Sequence, residues 1–362
     1  MHILFSLWNS IQQYLIPYIE ENLGVLSEKE MEFVRVAEFA AIDKHLKPYM
    51  WVGNGRKPCS RKAIALAFIA KAVWNLQTTR TLIEFLKANR NLRCLCGWES
   101  IGGIPSESTF SRAFEEFSIG QLPSLIHEAM IRDNLKDKLI CHISKDSTAI
   151  EAREKPVKKR KKKQSKHGRG RPRKGEARLE KQKKRLDMQA GRSLDENLSD
   201  LPSHCDRGVK QNSKGGRKIW TGHKLHTGVS DGDIPISVIL TSASVHDSQV
   251  AIPLMQMSRE RVTHLYDLAD SAYDAKQIKA YSRLLGHVPI IASNKRRGES
   301  IPMEPAQAVR FRERSSVERV NSNLKDNYGG RFVRVRGAAK VMAHLMFGII
   351  ALTANQLFHL LE

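Results

Sequence analysis

LICHISKDST, residues 139–148, is where the chain changes character. Its first six residues are apolar-rich and short, the mark of a β-strand, and the run closes on Lys145-Asp146-Ser147-Thr148 with a carboxylate at its C-terminal end. Downstream, KIWTGHKLHTGVS (218–230) and IPISVILTSASV (234–245) are β-rich runs separated by Asp231-Gly232-Asp233, an Asp-Gly hairpin signal. VTHLYDLA (262–269) ends at Asp270, and VPIIAS (288–293) is a further strand. Helical patterns lie between and after these strands, which predicts an α/β domain with a mixed sheet.

Upstream of Lys138 no strand signal occurs. AEFAAIDKHLKPY, RKAIALAFIAKAVWNL and TRTLIEFLKANRNLRCL repeat their apolar residues at three and four, the period of helices. GGIPSESTFSRAFEEFS follows, with Ser106 as the expected N-cap of a helix carrying Phe110, Phe114 and Phe117. Such short helices resemble a helix-turn-helix, so Arg112 on that helix is a candidate DNA contact, set against the plain helical pair that binds nothing. The expected division is residues 1–137 as an all-α DNA-binding or dimerisation region and 138–362 as the α/β domain. The N-terminal MHILFSLWNSIQQYLIPYIEE lacks a basic leader and reads as an amphipathic helix. The apolar stretch Val341–Leu361 approaches spanning length, but His344, Asn355, Gln356 and His359 interrupt it and favour a buried C-terminal helix without membrane contact.

The 60 basic residues exceed the 38 acidic ones, for a net charge of +22. That favours a polyanionic partner, nucleic acid first, over a small acidic substrate. Seventeen basic and two acidic residues lie between Lys155 and Arg185, so 15 of the 22 net charges are concentrated there. Five cysteines at irregular spacing suggest neither a disulfide framework nor a zinc site and suit a reducing cytoplasm.

Phosphodiester cleavage needs an attacking oxygen, charge neutralisation on the phosphate and help for the leaving oxygen, which two Mg²⁺ (or Mn²⁺) ions held by converging carboxylates supply. Asp146 and Asp270 each close an apolar strand, and neighbouring strands would bring them together. The third carboxylate is expected on a helix, FRERSSVERVNSNLK (311–325), where Phe311, Arg314, Glu318 and Lys325 fall on one stripe. Arg314 and Lys325 can contact phosphate oxygens beside the cut, and Asn321 can join that face. Asp267, Asp274 and Glu313 are the nearest rivals. Asp267 interrupts its strand and Glu313 falls off the stripe. A lone strand-end Asp is ordinarily a turn residue and a helical Glu beside Arg a surface pair; the joint spacing is what raises the three above that reading.

The spacing Phe311-x2-Arg314-x3-Glu318-x6-Lys325 resembles the YREK signature of bacterial insertion-sequence transposases, with Phe in place of Tyr. Asp270-Ser271-Ala272-Tyr273 is similar to that group's Asp-x-Gly-Tyr, with Ala for Gly, and Asp146-Ser147-Thr148 resembles its first Asp with trailing hydroxyls. The resemblance implies an RNase H-like mixed sheet flanked by helices, a metal-binding catalytic triad of Asp146, Asp270 and Glu318, and contacts from Arg314 and Lys325 to the transposon end. Phe311, Asn321 and Tyr273 would support the site. It implies as partners the terminal inverted repeats and target DNA, with a homodimer in the synaptic complex of a cytoplasmic, nucleoid-associated protein. With 47 residues between Asp270 and Glu318, an uninterrupted catalytic core is expected.

His246-Asp247 reads as a loop cap, with approach to DNA or metals as the second reading. Trp220 is expected to pack in the core, not to wedge between bases. The basic segment lies in an insertion at about 151–215, expected to be disordered, after the first strand. Within it Gly168-Arg169-Gly170-Arg171-Pro172-Arg173 resembles an AT-hook core, and Lys161, Arg169, Arg171 and Arg173 are candidate DNA contacts, the alternative being a nonspecific polycationic arm. The rival functions are a metal-dependent nuclease or resolvase on the same fold, a noncatalytic DNA-binding protein descended from a transposase, and an architectural protein using only the basic arm.

Overall fold

The computed structural model describes residues 2–46, 53, 58–157, 184–211, 216–294 and 302–361. Among the described residues the N-terminal part is built of helices joined by turns. Helices α1 (His2–Ser10) and α2 (Ile16–Leu23) are joined by a π-helical turn, and α3 (Glu28–Ala40), α4 (Arg61–Val73), α5 (Thr79–Ala88), α6 (Arg90–Leu95), α7 (Glu107–Ile119) and α8 (Leu122–Leu135) follow. Ser27 starts α3 with a full capping box, its hydroxyl accepting from the Glu30 amide while the Glu30 carboxylate accepts from Ser27. Ser106 stands at the N-cap of α7 as expected, but its hydroxyl turns to Ser108 and Thr109 instead of the backbone. Phe110, Phe114 and Phe117 of α7 all meet Phe68 of α4, which locks the two helices together.

The second part is a six-stranded mixed sheet. Its strands are β1 (Leu139–Glu151), β2 (Asp206–Gln211), β3 (Arg217–Ser230), β4 (Ile234–Ser242), β5 (Thr263–Ala269) and β6 (Val288–Ile291). β3 carries β2 and then β4 on one edge and β1 on the other; β1 continues to β5 and β5 to β6, the last two pairings parallel and the others antiparallel. This is the RNase H-like arrangement expected from the sequence, and the turn Asp231-Gly232-Asp233 joins β3 to β4, with Gly232 and Asp233 at positive φ. Helices α9 (Arg185–Gln189), α10 (Leu194–Asp200), α11 (Ala251–Arg261), α12 (Lys276–Leu284), α13 (Pro305–Phe311) and α14 (Ser315–Asn327) flank the sheet.

Three expectations change. β1 runs on to Glu151 because β3 pairs with it over its whole C-terminal half, so Asp146 sits mid-strand and not at a strand end. The stretch expected to be disordered to about 215 holds α9, α10 and β2, which pack on the domain: Asn197 donates to Gln189 and Gln256, and β2 pairs with β3. The signature segment is two helices, with Arg312–Arg314 tightened to 3₁₀ geometry between them.

Helix α15 (Ala338–His359) is apolar on all sides and long enough to cross a bilayer, yet it is mostly buried, packed among α3, α4, α7, α8, α14 and β4. Two of its polar residues are satisfied internally: Asn355 donates to Glu32 and to the Tyr328 hydroxyl, and His344 to the Gly329 carbonyl. Gly348 is required there, since a Cβ would lie 2.3 Å from the Tyr328 carbonyl oxygen. α8 fastens the helical part to the sheet: the buried His127 donates to the Pro235 carbonyl at 3.0 Å, and Glu128 pairs with Arg261, which also donates to the Ile236 carbonyl. Trp220 is core, as expected, and lies flat on Gly208, its cross-strand partner, where a Cβ would come within 2.3 Å of the ring.

Candidate active site

Register brings the first two carboxylates together. Parallel pairing of β1 with β5 ends at Lys145 opposite Ala269, so the next residue on each chain is Asp146 and Asp270. Paired strands stand about 4.8 Å apart, and alternation puts both side chains on one face of the sheet. Asp267 points to the other face with Lys145, where Lys145, His264, Ser282 and His287 all engage it. Asp274 is likewise occupied, accepting from the Asn294 amide and pairing with Lys279 at 2.7 Å. Both rivals to Asp270 therefore have structural work.

The signature segment crosses the Asp146 face. Ser144 and Thr148, two residues either side of Asp146, meet its two ends: the Ser144 hydroxyl donates to the Glu313 carbonyl at 3.2 Å, and Lys325 donates to the Thr148 hydroxyl at 2.5 Å. Between them, Asn321 accepts from Thr227, the residue opposite Asp146 on β3, at 3.2 Å. Glu318 lies on this same helix, one turn before Asn321. It is 54% exposed and bound to Arg314 at 2.6 Å, while Arg314 in turn lies over the Phe311 ring at 5.8 Å. The Phe-Arg-Glu stripe thus forms as the spacing predicts, and the Arg314 charge also reaches Asp270.

Electrostatics mark the acids as crowded. Burial, with the charges of Asp270 and Asp247 adding to it, pushes the Asp146 carboxyl up to about 6 against the pull of the Ser147 amide and Lys210. Asp270 is raised too, by burial first and then by Asp247, although its carboxylate accepts from the Ala272 amide at 2.9 Å. Tyr273 is fully buried, its hydroxyl has no hydrogen-bond partner among the described residues, and burial plus the charges of Asp247, Asp146 and Asp270 raise it well above the usual range. Carboxylate oxygens in mutual repulsion are a donor set suited to a hard divalent cation such as Mg²⁺ or Mn²⁺.

Two contributors lie outside the expected triad: Asp247, read from the sequence first as a loop cap and only second as approaching DNA or metals, and Lys210, which has no assignment there. Asp247 approaches from the opposite face, accepting from Ser147 at 2.8 Å and from Lys224 at 2.9 Å. Burial would raise it, but His226, Lys224 and these hydrogen bonds outweigh burial and hold it low. At neutral pH the Lys224 ammonium carries that effect, because burial drives His226 down to about 3 and leaves it uncharged. The His246-Asp247 pair is the available signal; its loop position conceals the distance closed by the sheet. Lys210, on β2, lowers both Asp146 and Asp270, and is hidden inside the stretch expected to be disordered.

Arg112 is exposed on α7 and donates to the Ser108 carbonyl, away from the acids. Lys161, Arg169, Arg171 and Arg173 lie outside the described residues. The fold also gathers Cys141, His142 and Asp231, and Glu154, Cys205 and His223, groups whose members are too scattered in sequence for spacing to reveal.

Residues 187–354 match the family model described as the Transposase DDE domain, and residues 26–116 match one described as a Transposase domain. Asp247, Asp270, Glu318 and Lys325 fall inside the first match and Asp146 precedes it. No curated protein and no solved structure matches the chain.

Proposed function

Because this chain belongs to the DDE transposases of insertion sequences, we propose that it cuts the element's ends and joins the freed 3′-hydroxyl to target DNA at one site built from Asp146, Asp270 and Glu318. The observation that carries this reading is the register that sets Asp146 beside Asp270 under a helix bearing Glu318. These three would hold two divalent cations, which when bound supply an activated attacking oxygen and neutralise charge on the scissile phosphate.

The chain's own residues do the rest. Arg314 binds the phosphate backbone bidentately once it leaves Glu318, and freeing Glu318 and engaging DNA are then one exchange of partners. Lys325, anchored on Thr148, and Lys210 on β2 hold phosphates further along the strand. The Tyr273 hydroxyl, buried near the acids and without a hydrogen-bond partner among the described residues, is a donor in reserve for orienting a carboxylate. Lys224 and Ser147 fix Asp247 behind Asp146. Phe311 supports Arg314 through its ring face, 5.8 Å from the guanidinium carbon, the part of the YREK pattern that the missing Tyr hydroxyl leaves intact.

We further assign residues 1–137 to end recognition or dimerisation, with Arg112 as a contact, and the basic arm with Lys161, Arg169, Arg171 and Arg173 to nonspecific or A·T-rich backbone binding. Two copies synapsing two ends in the cytoplasm complete the reading. The test is nicking and strand transfer on duplexes carrying the inverted repeats that flank the gene. Wild type should give metal-dependent nicks and joined products, while Asp146→Asn, Asp270→Asn and Glu318→Gln keep DNA binding and lose both. Nicks without joined products would leave a nuclease, and undiminished nicking by Glu318→Gln would remove the triad.

A further inference from the structure

Two lysines are buried among the described residues, Lys71 and Lys145. Lys145 meets Asp267; Lys71, on α4 and 7% exposed, meets no carboxylate and no hydrogen-bond acceptor among the described residues. Its side chain is buried while its ammonium reaches an adjoining cavity, so the charge is available to an anion that enters there. Burial lowers Lys71 to about 8, which still leaves it mostly charged at neutral pH.

Lys71 lines a cavity of about 390 Å³ between the helical part and α15. Phe68, Phe114 and Phe347 form its apolar side. Arg153, Arg334 and Arg336 stand exposed around it, and Arg336 donates to the Arg153 carbonyl at 3.2 Å, which keeps these two arginines adjacent. Lys340 also lines it but is occupied by Glu115 at 2.9 Å. Glu107 is the one acid on the wall among the described residues and is turned to Arg80, while His344, held neutral by burial, donates to Gly329. The wall therefore carries a large positive excess around a lysine that has no counter-ion among the described residues.

We propose that this cavity binds a phosphoryl group, with Lys71 as the buried cation and Arg153, Arg334 and Arg336 as the donors that close over it. Several guanidiniums converging with an ammonium suit a tetrahedral anion bearing more than one acceptor oxygen. The site is separate from the acid cluster. Arg153 follows Asp146 by seven residues, about 20 Å of extended chain, and lies beyond Lys325 along the same edge. A backbone phosphate of bound DNA, some base pairs from the cut, is one source of the group; a free phosphate or nucleotide is the other. Neither requires the metal reading.

The test uses the full chain and its Lys71→Met and Arg334→Gln variants, with orthophosphate as the first probe and a short duplex as the second. Millimolar orthophosphate should raise the melting temperature of the wild type by a few degrees. Lys71→Met should melt higher than wild type without phosphate, because an unpaired buried charge is gone, and should no longer respond to phosphate. Arg334→Gln, on the exposed rim, should fold normally and respond several-fold more weakly, and it carries the test if Lys71→Met does not fold. If the group belongs to DNA, the log–log slope of duplex affinity against salt falls in either variant by roughly 0.9, the value of one phosphate no longer neutralised. If the slope is unchanged while the orthophosphate response depends on Lys71, the source is a free phosphate. A wild type indifferent to orthophosphate, or variants that respond as wild type does, would overturn the proposal.

Discussion

Lys145 and Asp146 are consecutive residues of β1, and alternation sends their side chains to opposite faces of one sheet into opposite surroundings. On the Lys145 face the buried charge is met fully: Asp267 takes the ammonium together with His264, Ser282 and His287, and lies well below the ordinary carboxylate range. On the Asp146 face carboxylates crowd without enough cations, and Asp146 and Asp270 are both raised. Under the proposed function, the difference separates a charge placed for stability from charges placed for something that arrives later. A closed network lowers the free energy of the empty protein, whereas an open one raises it and recovers the cost on binding.

Spoiling the closed face should do the most damage. Asp267→Asn should leave Lys145 buried without its counter-ion and cost about 3–5 kcal/mol in denaturant unfolding. A loss under about 1 kcal/mol would mean that the histidines, not the ion pair, carry the network.

Spoiling the open face should have the reverse sign. Asp146 is raised from 3.8 to about 6, so the native state holds its proton more tightly than the unfolded chain. Its contribution to metal-free stability is therefore largest at low pH, declines as pH rises from about 4 to about 6, and is lost above that. Asp146→Asn should remove that decline and stabilise the metal-free protein at neutral pH by about 1–3 kcal/mol, while abolishing nicking. A pH–stability profile of the two proteins without metal checks the sign.

Lys224→Met tests the bridge between the faces. Without its ammonium Asp247 becomes a third uncompensated acid, so the metal-free protein should lose about 1–2 kcal/mol, and added Mg²⁺ should restore more stability to the variant than to wild type. Equal restoration in both would separate Asp247 from the acid cluster. The smallest effect is remote: Ser27→Ala, which removes half of a capping box far from either face, should cost about 1 kcal/mol and leave the metal response unchanged.

Much of this is legible in the sequence because it is local. The period of the helices, the Asp-Gly turn, the apolar runs of β3 to β6 and the Phe311-Arg314-Glu318 stripe each follow from residues within a few positions of one another. What stays hidden depends on pairings across the chain. Asp146 reads as the end of its strand because no local signal announces that β3 will extend it to Glu151. Asp247 reads as a loop cap because its approach to Asp146 is set by strand order, and Lys210 is lost in a basic background where β2 is stabilised by Trp220 packing on Gly208. Lys71 gives no signal at all, since a lysine in an apolar helix is ordinarily a snorkelling one, and only packing against α15 shows it enclosed.

The proposed function requires three acids distant in sequence to share bound divalent metal, and iron-directed cleavage of the chain reads that sharing without relying on activity. Fe²⁺ loaded in place of Mg²⁺, with ascorbate and peroxide, cuts backbone next to its ligands, and mass spectrometry locates the cuts. They should cluster near residues 146, 270 and 318, be suppressed together by excess Mg²⁺ and vanish together in Asp146→Asn. Cuts confined to the Cys141–His142–Asp231 or Glu154–Cys205–His223 groups, or cuts near 146 and 270 that never include 318, would refute the shared site.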